Sequence, residues 1–123
     1  MSVKGAFEVE LLPQRDEEAP VGRMIIDKSY QGNLKGAGTG QMISKRLENG
    51  YAAYFAIEEF TGKLNDKSGS FTLLHRGFMN PDSESLVITI LEGSGSGELK
   101  NISGKMTIIQ EDGKHIYELD YNM

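Results

Sequence analysis

The chain contains no cysteine, which excludes disulfides, thiolate nucleophiles and cysteine-ligated zinc. Long apolar runs are also missing. The longest, residues 51–57 and 86–91, fall far short of the roughly 20 residues a membrane-spanning helix needs. The opening MSVKGAFEVELLP lacks the uninterrupted apolar segment of a secretory signal, so a cytoplasmic location is expected and no membrane partner. Positive charge is scarce: 13 Lys and Arg stand against 18 Asp and Glu, for a net charge of -5 and a pI near 5.0. No basic surface is set up for phosphate backbones, so nucleic acid is not an expected partner.

Ligands for a metal are equally sparse. His75 and His115 are far apart with no third nitrogen nearby, and residues 66–70 lack the alternating acids of a calcium loop. Gly93-Ser94-Gly95-Ser96-Gly97 imitates a phosphate loop, but no lysine follows at the required spacing and no helical pattern supplies a dipole. Gly36, Gly38 and Gly40 lack the third-glycine spacing and the helix of a dinucleotide site. No serine sits in a Gly-x-Ser-x-Gly elbow. No cofactor and no metal are therefore expected, and these glycines read as turn and strand residues.

Glycine is what the chain has in excess: 15 residues in 123, well above the usual ~7%. Between the glycines the sequence alternates. Residues 3–12 place Val3, Phe7, Val9 and Leu11 on one face and Lys4, Glu8 and Glu10 on the other, the period of a half-buried strand. Residues 13–22, with two prolines and several charges, predict an exposed loop. Strands follow over 23–31 and 35–47, and the row Gly36, Gly38, Gly40 predicts bending or the close approach of another side chain. Asn49-Gly50 predicts a type I′ hairpin returning along 51–60; a short helix over 41–48 is the competing reading. Strands over 70–78, 85–92, 105–110 and 115–121, with turns at Asn80-Pro81-Asp82 and Asp112-Gly113, bring the total to eight.

An internal echo supports a closed arrangement. TGKLNDKSGSFTLL at 61–74 aligns without gaps to SGELKNISGKMTII at 96–109, and QGNLKGAG from Gln31 is a weaker third copy. Each unit is a Gly-x-Leu step, a polar turn and a new strand, as at equivalent corners of one closed sheet. The expected fold is a single all-β domain over residues 1–123, an eight-stranded antiparallel closed barrel. A sandwich is the alternative, because strand count and turn spacing fit both.

FAIEEFTGKLNDKSGSFTLLHRG at 55–77, GSGSGELKNISGK at 93–105, the closing YELDY and the opening GAFEVELLP together resemble DUF3224, a bacterial family of unknown function. The G-S-G-x-L-x-x-x-x-G segment also resembles the glycine signature of allene oxide cyclases and dirigent proteins. That likeness implies an allene oxide cyclase-like barrel and, from the habits of such proteins, homo-oligomerisation, with a dimer as the default. Only the glycine corner matches, so the activities of those proteins do not carry over.

Candidate site residues are polar groups on an inward phase. His75 shares its face with Phe71 and Leu73, which points it inward. Glu58 alternates with Tyr54, Ala56 and Phe60, and Glu59 with Phe55 and Ile57, so phase leaves either free to face in; the DUF3224 likeness favours Glu58. An inward carboxylate must be hydrogen-bonded or raised in pKa. Tyr117 and Tyr121 share the apolar phase of the last strand with Leu119. Glu58, His75, Tyr54, Tyr117 and Tyr121 are thus the ligand-binding candidates, with no catalytic residue assigned. The expected function is binding of a small, mainly apolar molecule in the interior, with isomerase- or cyclase-type activity open. The alternative is a ligand-free structural or interaction barrel acting through self-association.

Overall fold

A computed structural model describes residues 1–15 and 17–123. Among them are nine strands: β1 (Ser2–Gln14), β2 (Gly22–Gly32), β3 (Leu34–Arg46), β4 (Ala52–Leu64), β5 (Lys67–Met79), β6 (Glu84–Ile90), the two-residue β7 (Ser96–Gly97), β8 (Ser103–Glu111) and β9 (Lys114–Asn122). Every pairing is antiparallel, and both β1–β9 and β4–β5 pair, so eight strands close on themselves while β7 attaches only to β5. The closed barrel is the expected architecture, and the sandwich is excluded. Closure thins toward one end: β1 pairs with β9 only over Ser2–Phe7, and β6 with β8 only at Ile88–Met106 and Thr89–Lys105.

Most strands run longer than the alternation alone suggested, but β3 keeps the expected length and β6 stops at Ile90, short of the expected 92. Pro13 and Gln14 extend β1 opposite Met24 and Arg23 rather than opening the loop; Asp16, within that expected loop, lies outside the described residues. β3 continues to Arg46 in place of the competing helix over 41–48, because pairing with β2 and β4 on both sides satisfies its backbone. The Asn49-Gly50 turn is a hairpin of another type. Arg46 pairs with Ala52, Gly50 N–H donates to Leu47 O (3.2 Å), Leu47 N–H donates to Tyr51 O (2.8 Å), and only Gly50 has positive φ (91°). This is a turn followed by a glycine bulge, not a type I′ turn. Asp112-Gly113, with both φ positive, fits the type I′ form.

Inward positions alternate along every strand and build one core. Tyr30, Phe60, Phe71, Leu73, Tyr117 and Leu119 are almost wholly buried, with Phe60 and Phe71 rings 4.9 Å apart and Tyr30 edge-on to Phe60 and Tyr117. The echoed leucines, Leu34, Leu64 and Leu99, seal one end of the barrel. The glycines of the echo are not conformationally equivalent: Gly97 has φ 63°, whereas Gly62 lies within β4 without positive φ. The other end is less covered. Inward-phase Met24, Met42 and Tyr54 are half-buried there, and Leu11 and Leu86 are exposed.

Candidate functional site

The middle of the barrel holds a charged cluster. Gly40 pairs with Glu58 and Glu58 with Leu73, which fixes Glu58 on the inner face, 0% exposed. Its neighbour Glu59 therefore points out, where its carboxylate accepts from Thr72 Oγ1 (2.8 Å). Three donors converge on Glu58: Lys28 Nζ at 3.1 Å and His75 Nε2 at 2.9 Å, both on Oε1, and the Tyr30 hydroxyl at 2.5 Å on Oε2. Lys28 and His75 are themselves buried. The ammonium of Lys28 also lies 4.8 Å from the centre of the Phe7 ring, a cation–π contact that replaces part of its lost hydration.

Gly38 explains how a carboxylate fits here. It faces inward between Lys28 and Phe60, one step along from Tyr30 and Glu58, and a Cβ at this position would overlap Glu58 Oε2 and come 2.9 Å from the Tyr30 ring. Of the β3 glycines, Gly38 thus admits the close approach of another side chain, whereas a Cβ at Gly36 or Gly40 would meet the backbone of β4. Gly77 does the same beside Tyr54, whose ring occupies the space a Cβ would need.

The electrostatics follow from this arrangement. Burial drives the Glu58 pKa up, but the hydrogen bond from His75, the charge of Lys28 and the hydrogen bond from Tyr30 outweigh it and hold the carboxyl below its ordinary value. Of the two options open for an inward carboxylate, hydrogen bonding is the one realised. Burial and the nearby Glu58 charge raise the Tyr30 phenol, and push the Tyr54 phenol up to about 12. At neutral pH the site comprises an ionised carboxylate and two neutral phenols.

Three of the expected residues come together: Glu58, His75 and Tyr54, with the Tyr54 and His75 rings 6.4 Å apart on the less covered side of the cluster. Tyr117 and Tyr121 are inward and buried, but serve the sealed end. The Tyr117 hydroxyl accepts from Leu34 N–H (2.9 Å) and lies within donating distance of Gln31 O and Leu34 O; Tyr121 OH accepts from Asn65 Nδ2 (3.3 Å). Lys28 and Tyr30 are the members that the sequence reading passed over. Their signal was present, since Ile26, Lys28 and Tyr30 share one phase of β2.

No cluster of three or more potential metal ligands occurs among the described residues. A concavity of about 960 Å³ lies on the outside of the barrel, over Glu59 rather than Glu58. The side chains of the charged cluster point to the opposite face of the sheet from this groove. No helix of the described residues is long and apolar enough to cross a membrane.

Comparison with known proteins agrees with this architecture. A crystal structure of a protein of unknown function from the DUF3224 family of Shewanella oneidensis MR-1 is 36% identical to this chain, with a TM-score of 0.93, covering 100% of this chain and 96% of that one. No curated protein matches. The model of the same family, described as a protein of unknown function, matches residues 3–121. Sequence, barrel and neighbour agree, and the chain belongs to the DUF3224 family.

Proposed function

We propose that this barrel, of allene oxide cyclase-like architecture, binds a small, mainly apolar molecule at its less covered end, with Tyr54 and His75 as its polar contacts. One observation carries the reading. A charged group that costs several kcal/mol to desolvate is fully buried at Glu58, yet inward-phase Met24, Met42, Tyr54 and Leu86, further along the same strands, are left within reach of solvent. A purely structural cluster gains nothing from an uncovered approach. A ligand there would lay its apolar body on the methionines and Leu86 and offer a carbonyl, hydroxyl or carboxyl to the Tyr54 hydroxyl, which is a neutral donor at pH 7.

Binding is favoured over turnover. A general base works best with a pKa near the operating pH, and Glu58 is displaced the other way by its three donors. Isomerase- or cyclase-type proton transfer would fall to His75. The second reading, a ligand-free structural interior, draws on a separate observation: among the described residues no buried side-chain nitrogen or oxygen lacks a hydrogen-bond partner.

Thermal melts with a panel of small apolar acids and alcohols separate the two. Binding predicts a compound that raises the wild-type melting temperature, with the shift reduced in Tyr54→Phe while the unliganded melt barely moves. No shift with any compound, and simple destabilisation of His75→Gln, would support the structural interior instead.

A further inference from the structure

The outward positions of β2 to β6 differ from the rest of the barrel exterior. On β1 the outward phase carries Lys4, Glu8 and Glu10 before Leu12, which lies beside Ile25, and on β9 it carries Lys114, Glu118 and Asp120 around a single Ile116. On β3 and β4 the same phase carries Ile43, Phe55 and Ile57, which are 48%, 45% and 57% exposed, and Val87 on β6 is 41% exposed. The register aligns these into rows across the strands: Ile25, Gln41, Ile57, Leu74 and Thr89 in the middle, Ile43, Phe55, Arg76 and Val87 on one side, Thr39 and Glu59 on the other. The three rows line the 960 Å³ groove. A contiguous apolar face of this kind on a soluble chain marks an interaction surface.

We propose that two copies of the chain associate through this face, about a two-fold axis running across the strands along the Ile57 row. Shape and charge both favour a second copy. A closed barrel is a hyperboloid, concave along its axis and convex around it, so one waist nests against another when the two axes cross near a right angle. Strands tilt ~35–45° from the barrel axis. A two-fold perpendicular to the strands reverses that tilt in the second copy, so the axes cross at about 70–90° while the strands of the two faces stay aligned, a favoured way for sheets to pack. The same axis exchanges the outer rows. Arg76, which makes no ion pair among the described residues of one copy, then lies opposite Thr72 of the other copy, whose hydroxyl holds the Glu59 carboxylate. The contact is made twice by symmetry, flanking a Leu74–Leu74 contact next to Ile57–Ile57 on the same axis. This isologous pairing satisfies a lone guanidinium and covers the exposed aliphatic rows together. The face is separate from the barrel mouth, so this inference stands whether or not a ligand binds inside.

Sedimentation equilibrium tests it. Wild type is expected to be a dimer. Ile57→Glu, on an exposed side chain, should weaken association about 100-fold with an unchanged circular dichroism spectrum. Arg76→Glu and Glu59→Arg should each weaken it, and the double exchange should restore it. A wild type that stays monomeric at about 1 mM, a dimer indifferent to Ile57→Glu, or single exchanges that the double exchange does not rescue would overturn the proposal.

Discussion

Glu58 shows how one residue organises a core. Its carboxylate is held by an ammonium, an imidazole and a phenol, and each of these is buried because Glu58 is. Glu58→Gln should therefore destabilise the fold by about 3–5 kcal/mol in urea titrations, because it strands the Lys28 charge in the interior. Lys28→Met combined with Glu58→Gln should cost less than the sum of the single changes, since the amide can still bond Tyr30 and His75 without an unpaired ion. Gly38→Ala should cost about 1–3 kcal/mol by overpacking, because the new methyl meets Glu58 and the Tyr30 ring. Strand phase alone settled His75, whose neighbours Phe71 and Leu73 are both apolar. It could not settle Glu58 against Glu59, because the outward phase of β4 carries Phe55 and Ile57 and reads as apolar as the inward phase. The exposed hydrophobic face that confused the reading is the surface proposed here to pair two copies.

At the scale of elements, alternation located every long strand but underestimated most of their lengths, β3 and β6 excepted. Pro13 reads as a loop residue in isolation, yet it is tolerated near the end of β1, opposite Met24. The short β7 and the turn after it were read within the Gly93–Gly97 run and the echo, but a two-residue strand leaves no period to detect. The Asn49-Gly50 dipeptide correctly announced a hairpin; its exact form depended on the register of Arg46 with Ala52, which no local signal carries. Gly50 takes φ 91°, and a Cβ there would sit 2.9 Å from Pro81 Cγ in the next loop at the same end. Gly50→Ala is expected to lower stability by about 1–2 kcal/mol, measurable by chemical denaturation, with the strands on either side unchanged in hydrogen-exchange pattern.

For the molecule as a whole, closure and the buried cluster set a characteristic response to pH. Glu58 ionises more readily folded than unfolded, so its contribution to stability is present above the ordinary carboxyl value of 4.5 and is lost as pH falls through the lower folded value. Tyr54 behaves oppositely: the unfolded phenol ionises near 10.0 and the folded one near about 12, so stability declines as pH rises across that interval. Melting temperatures recorded from acid to alkali should fall at both ends, and Glu58→Gln should flatten the acid limb while Tyr54→Phe flattens the alkaline one. The barrel was legible in the sequence through alternation, turns and the echoed glycine corners. The cluster was legible only in part, because which side chains meet across a barrel depends on register between distant strands. The claim that this cluster underlies a ligand site is tested most directly by methyl and aromatic NMR of the wild-type protein titrated with small apolar acids and alcohols. The account predicts saturable shifts centred on Met24, Met42, Tyr54 and His75; no shifts, or shifts confined to the outer face around Phe55 and Ile57, would contradict it.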